Sequence, residues 1–214
     1  MKQKYLVFCM LLLTVATLHA GPGNHKARTG GIVFLAGYWD TQNDWAPIRK
    51  VTNGFDETVY VGGYVGWIDF YSRLDDHYFL YCGLGAGADV MVIDAFETDE
   101  VRVKSITPLI FGVRYDLLPA ERITAMQPYV SAGAGPYWEH HIHVIDNSFG
   151  DSDNVSVQSN VRFGLYWGGG VFYRVSDTFV LNCDMKYHLL DLDVHNEFSG
   201  YEVGIGFGFF WGEY

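Results

Sequence analysis

The sequence has few cysteines, few prolines and few charged residues for its length. Among 214 residues there are 3 cysteines and 6 prolines, and charged residues make up 18% of the chain. Three cysteines are too few for the disulfide framework that stabilises small secreted domains. Hydrophobic residues make up 49% of the chain, and aromatic residues make up 17%. Soluble domains typically have about a quarter of their residues charged, so an ordinary soluble surface is not expected.

Long apolar runs are also missing, except at the N-terminus. Two lysines precede a nearly continuous apolar segment, residues 5–18, and the small residue Ala20 follows it. This order is typical of a secretory signal peptide. We therefore predict a signal peptide over residues 1–20 and one mature domain over residues 21–214. No later run reaches the ~18 apolar residues of a membrane helix.

Basic residues are scarce as well. The chain has 14 Lys and Arg against 25 Asp and Glu, and the predicted signal peptide contains two of the lysines and no acid. The mature domain thus carries 12 bases and 25 acids, a formal charge of −13. Nucleic-acid-binding proteins present a basic surface, so nucleic acid is not an expected partner.

Strict alternation of apolar and other residues runs through most of the mature chain. From Tyr78 to Val92 every second residue is apolar, and glycine, tyrosine and aspartate occupy most of the positions between them. A period of two is typical of β-strands with two different faces. Eight strands are predicted, at about residues 31–39, 58–71, 78–92, 101–117, 129–143, 161–175, 178–190 and 200–211.

The connections between these strands alternate in character. Three are short turns or compact segments, and four are longer polar loops. Short turns at one end and long loops at the other are typical of an up-and-down barrel with both termini on the short-turn side. The short connections are residues 72–77, 118–127 and 175–177, and the long loops are residues 40–57, 94–100, 144–158 and 191–199.

The apolar face of this barrel is predicted to point outward. Eight strands leave room for little more than side chains in the middle, which suits the glycine-rich face. The charged set is too small to cover an exterior, and a closed barrel satisfies every backbone group inside a bilayer. We predict an all-β, eight-stranded antiparallel transmembrane barrel, with a soluble barrel as the alternative. Cys82 and Cys183 then face lipid on opposite sides, too far apart for a disulfide.

The inward face carries six acids and six bases. Buried charges are tolerated when they are paired, so the equal numbers predict a lumen plugged by ion pairs. The long loops hold 14 acids against two bases, which we interpret as a solvated acidic rim. The predicted interior charge cluster comprises Asp69, Asp89, Arg102, Lys104, Arg114, Asp116, Glu139, His141, Arg162, Arg174, Asp184, Lys186 and Glu202.

The segment PYWEHHIH, residues 136–143, lies near the predicted mouth of the barrel. Alternation directs Glu139, His141 and His143 inward. The favoured interpretation is a polar plug in which Glu139 pairs with a base on a neighbouring strand and His141 joins the same cluster. The candidate bases are Arg102, Lys104 and Arg162.

Two alternative interpretations of this segment stay open. His141 and His143 are two residues apart on one face and could both reach a zinc ion. His140 faces outward, as does Ser105 on the preceding strand, and together they could be the base and nucleophile of a lipid-modifying enzyme. No outward carboxylate is visible near them, so we predict no catalytic residue, no metal and no cofactor.

Several segments resemble the Gram-negative outer-membrane β-barrel superfamily, most nearly its small OmpA-like and OmpW-like members. They are PYVSAGAGPYW, WGGGVFYRVSDTFVLNCDMKYH and the ending SGYEVGIGFGFFWGEY. The resemblance implies a monomer in the outer membrane, surrounded by membrane lipid and lipopolysaccharide. It also implies a C-terminal signal for the barrel-assembly machinery among the outward aromatics Phe207, Phe209 and Trp211, with Tyr214 as the alternative end of that signal.

Three functions are compatible with these features. The balanced interior favours a non-enzymatic barrel with a structural or surface-interaction role. A narrow channel for small hydrophobic molecules, as the resemblance to OmpW-like proteins implies, is one alternative. An enzyme that modifies lipid A is the other.

Overall fold

The computed structural model describes residues 28–40, 48–53, 56–95, 98–119, 125–147, 154–194, 196 and 198–213. The predicted signal peptide lies outside this part. No helix in the described residues is long and apolar enough to cross a membrane. The strands are β1 (Gly30–Asp40), β2 (Ile48–Asn53), β3 (Asp56–Arg73), β4 (Tyr78–Ala95), β5 (Thr98–Asp116), β6 (Met126–Asn147), β7 (Asn154–Arg174), β8 (Phe179–Leu190) and β9 (Gly200–Trp211).

Eight of these strands close into an antiparallel ring. From β3 to β9 each strand pairs with the next in sequence, and β1 closes the ring by pairing with both β9 and β3. Gly30 in β1 lies opposite Trp211 on one side and Ser72 on the other. The predicted eight-stranded antiparallel up-and-down barrel is confirmed.

The strand β2 was not predicted. It pairs with the upper part of β3, from Ile48 opposite Val61 to Asn53 opposite Asp56, inside the segment that the sequence analysis assigned to a long loop. Its apolar side chains are exposed, because the ribbon stands above the ring and has no lumen to face. The prediction of a loop over residues 40–57 was therefore wrong for this part, since alternation marks a strand only where one face is buried.

The barrel wall is uneven in height. The strand β7 pairs with β6 as far up as Asn154, but its ladder with β8 stops at Gly164, opposite Leu190. The ladder stops because Asp191 and Leu192 have positive φ angles of 53° and 57°, which turn the chain away from the strand direction. The strands β3 to β7 therefore rise above the rim formed by β8, β9 and β1.

The exterior is an apolar belt between two rows of aromatic side chains. In the lower row the rings of Tyr78 and Tyr115 are 5.0 Å apart, and in the upper row those of Tyr38 and Tyr64 are 6.3 Å apart. Tyr64 lies opposite Ala88, ten residues beyond Tyr78 on β4. For tilted strands this spacing corresponds to roughly 25 Å along the barrel axis, the height of a lipid-facing band. Such an exterior requires a bilayer.

The turns at the lower end are held by side-chain caps. In the turn between β3 and β4, Asp75 Oδ1 accepts hydrogen bonds of 2.8 Å from the backbone N–H groups of His77 and Tyr78. These bonds hold the pKa of Asp75 below its usual range. In the turn between β7 and β8, Ser176 Oγ accepts a 3.0 Å bond from the N–H of Phe179. Two of the three short connections predicted at this end are thereby fixed by their own polar residues.

Candidate functional site: the lumen and its mouth

The structure places the predicted interior residues at four levels, named here from the lower turns upward. The basal cluster is Arg73, Arg114, Asp116 and Arg174. The central network is Asp69, Asp184, Lys186, His188 and Glu202. The upper pair is Glu139 with Arg162. The mouth cup is Arg102, Lys104, His141, His143, Ser156 and Gln158. Asp89 lies apart from these levels, and its carboxylate accepts a hydrogen bond from the backbone N–H of Gly63.

Arg114 is the centre of the basal cluster and is 1% exposed. Its Nε and Nη2 donate to the two carboxylate oxygens of Asp116, at 2.8 and 3.2 Å. Arg73, which the sequence analysis placed in a turn, lies 3.9 Å from the same carboxylate. The Arg114 guanidinium is within 4.1–5.9 Å of the ring centres of Phe79, Phe172, Tyr71, Tyr129 and Phe210. A planar cation that binds one carboxylate with two bonds and contacts several rings cannot be replaced by a lysine without loss.

Arg114→Lys is therefore expected to lower the free energy of unfolding by about 2 kcal/mol, through the lost second hydrogen bond and weaker contacts with the rings. Urea titration of the refolded protein in lipid vesicles measures this loss. Arg102→Lys is the matched control, since Arg102 is half-exposed and should change stability by less than about 0.5 kcal/mol. Equal losses in the two variants would contradict the role assigned to Arg114.

Glu202 organises the central network. Its Oε2 accepts hydrogen bonds of 3.0 Å from Trp67 Nε1 and from His188 Nε2. Because His188 Nε2 donates, the other ring nitrogen of a neutral imidazole is an acceptor, which matches the Tyr137 hydroxyl 2.9 Å from Nδ1. Lys186 Nζ lies 3.5 Å from Glu202 Oε1 and 3.3 Å from Asp184 Oδ2. One lysine thus joins two carboxylates from adjacent strands.

Aromatic rings close the space around this network. The His188 ring lies between the rings of Trp39 and Trp67, at 4.2 and 5.9 Å. Lys186 Nζ is 4.7 Å from the centre of the Trp67 ring. These side chains come from β1, β3 and β8, and each is almost fully buried. Buried side chains from these three strands therefore pack together around His188.

Charge is distributed unevenly along the lumen. The basal cluster has three bases and one acid, whereas the central network has three carboxyl groups and one lysine. The inward acids and bases were predicted to be paired throughout, but the structure separates them into a basic level and an acidic level. Hydrogen bonds to Trp67, His188 and Tyr129 supply partners for the carboxyl groups in place of bases.

The upper pair is formed by the buried Glu139 and a half-exposed arginine. Arg162 Nε lies 2.6 Å from Glu139 Oε2, and Arg162 Nη1 lies 2.6 Å from Asp191 Oδ2. Of the bases proposed for Glu139, Arg162 makes this contact. Asp191 was predicted to belong to the solvated rim, yet the turn after β8 brings it to this arginine. Its role depends on positive φ angles that the sequence pattern does not reveal.

The mouth cup is a cavity of about 310 Å³ lined by Arg102, Lys104, His141, His143, Ser156 and Gln158, with two aliphatic neighbours. Glu100 contacts both Arg102 and His143. The His141 ring is 6.0 Å from that of Phe198, a buried residue of the last loop. Within the described residues there is no group of three His, Cys, Asp or Glu side chains that could hold a metal. The zinc alternative therefore receives no third ligand there.

His140 faces outward, and its hydrogen-bond partner is Ser159. The distance from His140 Nδ1 to Ser159 Oγ is 2.8 Å. Ser105, the outward serine predicted as its partner, lies opposite His140 on the other neighbouring strand. No carboxylate among the described residues contacts His140 to orient it as a catalytic base. Among the residues that the structure describes, the pair therefore has no third member of a nucleophilic site.

Comparison with known proteins bears on the fold alone. No family model matches this chain, and no curated protein matches it. Among solved structures, it is similar to the outer membrane protein OprG from Pseudomonas aeruginosa, with a TM-score of 0.51, 14% identity, and coverage of 88% of this chain and 98% of that one. The Yersinia pestis protein Ail gives a TM-score of 0.49 at 12% identity, covering 86% of this chain and 99% of that one. Neisserial surface protein A gives a TM-score of 0.41 at 16% identity, covering 85% of this chain and 97% of that one.

The chain has the fold of a small outer-membrane barrel. In such a barrel the outward aromatics of the last strand are accessible from the bilayer. Phe207, Phe209 and Trp211 lie on that face of β9 and are 45–51% exposed. Tyr214 lies outside the described residues. The placement of the three aromatics agrees with the position of an assembly signal, whose use stays a prediction.

Proposed function

We propose that this protein is a non-enzymatic outer-membrane barrel that anchors a raised β-sheet at the cell surface and conducts neither ions nor solutes. The central network is the observation that supports this proposal. Glu202 and His188 are completely buried, and Lys186 and Asp184 are nearly so. A pathway through this level would require separating Lys186 from two carboxylates in a low-dielectric interior, where removal of one partner costs about 3–5 kcal/mol.

The surroundings of such a barrel follow from its exterior. We propose outer-membrane lipid around the apolar belt, lipopolysaccharide at the upper aromatic row, and recognition of β9 by the barrel-assembly machinery. An acidic rim repels lipopolysaccharide phosphates unless divalent cations intervene. The unequal wall supports a surface role, since β3 to β7 extend beyond the belt and β5 to β7 carry polar side chains on their inner face.

Single-channel recording of the refolded protein in planar bilayers tests this function. The expected result is a baseline indistinguishable from protein-free lipid, because the lumen is filled at the central level. Insertion is verified on the same sample by the different migration of boiled and unboiled protein on a denaturing gel. Trp39→Ala is the matched control, since it removes a ring from the plugged level and should raise the frequency of brief openings. Discrete conductance steps from the wild type would overturn the proposal.

A further inference from the structure

The upper part of β7 is an open sheet edge. Residues 154–163 pair with β6 on one side, and the β8 ladder begins only at Gly164. Within the described residues no strand covers the other side of this stretch. All side chains from Val155 to Val161 are exposed. This segment therefore presents a row of backbone groups as well as two side-chain faces.

The direction of the backbone groups follows from one hydrogen bond at the top of the β8 ladder. The N–H of Asp191 donates to the carbonyl of Phe163, at 2.9 Å. In an antiparallel ladder, hydrogen-bonding positions on one side of a strand recur at every second residue. Phe163 therefore directs its N–H and C=O groups toward the β8 side. Above Phe163, every second residue does the same, but there that side is open. These residues are Val161, Ser159, Val157 and Val155.

The side chains of this edge do not protect it. Native sheets shield their edges with charged residues, proline or bulges. Residues 154–161 read NVSVQSNV, with no charge, no proline and no glycine. Val155, Val157 and Val161 are 61–64% exposed on the outward face, and polar residues alternate with them. A pattern of this kind pairs readily with another strand.

The position of this edge makes it accessible from outside the bilayer. Val161 lies opposite Trp138 on β6, and Trp138 is twelve residues above Met126 at the lower end of that strand. Twelve residues of a tilted strand rise roughly 30 Å, which exceeds the roughly 25 Å height of the lipid-facing band. The segment above Val161 is therefore beyond the apolar belt.

We propose that the open edge of β7, residues 155–161, binds an extended segment of a partner protein by strand addition; this rests on the proposed surface role. Backbone N–H and C=O groups repeated at strand spacing are matched by an extended polypeptide and by few other ligands. Because the edge is uncharged and its outward face bears valines, the fitting segment has apolar residues at every second position. Two copies in one membrane have their β7 strands running the same way. They could pair only in parallel, the weaker arrangement, which favours a different chain.

Binding of a defined peptide to the refolded protein in detergent micelles tests this proposal. The probe has alternating threonine and valine over seven residues, two lysines at each end and a fluorophore. Val157→Pro removes one N–H from the open edge without taking a donor from the β6 ladder, and Val157→Thr keeps that N–H. Fluorescence anisotropy should show equal affinity for the wild type and Val157→Thr, and at least ten-fold weaker binding to Val157→Pro.

A second measurement does not depend on the folding of any variant. The same peptide with every backbone N–H methylated, so that neither of its edges can donate hydrogen bonds to β7, should bind the wild-type protein at least ten-fold more weakly than the unmodified peptide. Equal binding of both peptides, equal binding to all three proteins, or no binding would overturn the proposal. Self-association on sedimentation that Val157→Pro abolishes would also overturn it, in favour of a second copy on this edge. Conductance recordings test the proposed closed lumen separately. A failure of strand addition would therefore not contradict the proposed function.

Discussion

Lys186→Met is expected to lower the free energy of unfolding by about 3–5 kcal/mol, the range seen when one partner of a buried ion pair is removed. Lys186 Nζ lies between Asp184 and Glu202 at 3.3 and 3.5 Å, and all three side chains are buried. Without the lysine, two neighbouring carboxylates remain at the acidic level of the lumen. Urea titration in lipid vesicles, followed by tryptophan fluorescence, measures the change.

Two further variants identify the cause of that loss. Asp184→Asn combined with Lys186→Met removes one of the two stranded charges and should recover part of the lost stability. Arg102→Met removes a base from a half-exposed pair at the mouth and should cost less than about 1 kcal/mol. A loss for Lys186→Met no greater than that for Arg102→Met would show that the central network does not stabilise the barrel.

Arg162→Met is expected to lower the free energy of unfolding by about 3 kcal/mol, and Glu139→Gln by only about 1 kcal/mol. The asymmetry arises because Glu139 is completely buried and Arg162 is its base at 2.6 Å. When the arginine is removed, a buried carboxylate loses its cation. When Glu139 is neutralised, Arg162 retains Asp191 at 2.6 Å and access to water.

The same unfolding assay separates the two halves of this pair, with Asp191→Asn as the control. That variant removes the exposed carboxylate and should change stability by less than about 1 kcal/mol. Equal losses of unfolding free energy for Glu139→Gln and Arg162→Met would contradict this asymmetry. They would show that Asp191 and water do not compensate Arg162 for the loss of the Glu139 carboxylate.

The barrel itself could be predicted because it depends on a local pattern. A strand with one face on lipid and the other in a filled lumen must alternate, and eight segments of this chain do so. The strand β2 was not predicted, because neither of its faces is buried. The upper end of β7 was assigned to a loop for the same reason, as its valines and polar residues from Val155 to Val161 are exposed on both faces.

The interior site was predictable in composition and not in arrangement. Alternation states which residues point inward, so Glu139, Lys186 and Glu202 could be named from the sequence. Their heights and partners depend on the register between strands, which short motifs do not specify. Arg73 was assigned to a turn, and no role was predicted for His188. The contact of Trp67 with Glu202 crosses β1, which lies between their strands, and no local pattern indicates it.

The placement of ion pairs along the chain bears on how the barrel assembles. Arg114 and Asp116 are two residues apart on β5, and Asp184 and Lys186 are two residues apart on β8. Such pairs neutralise their charges as soon as a single strand is extended, before any other strand is in place. The hydrogen bond between Trp67 and Glu202 instead forms when the first and last strands meet. These two pairs can thus enter the membrane with their charges already compensated, and the indole of Trp67 is positioned to report the final closure of the ring.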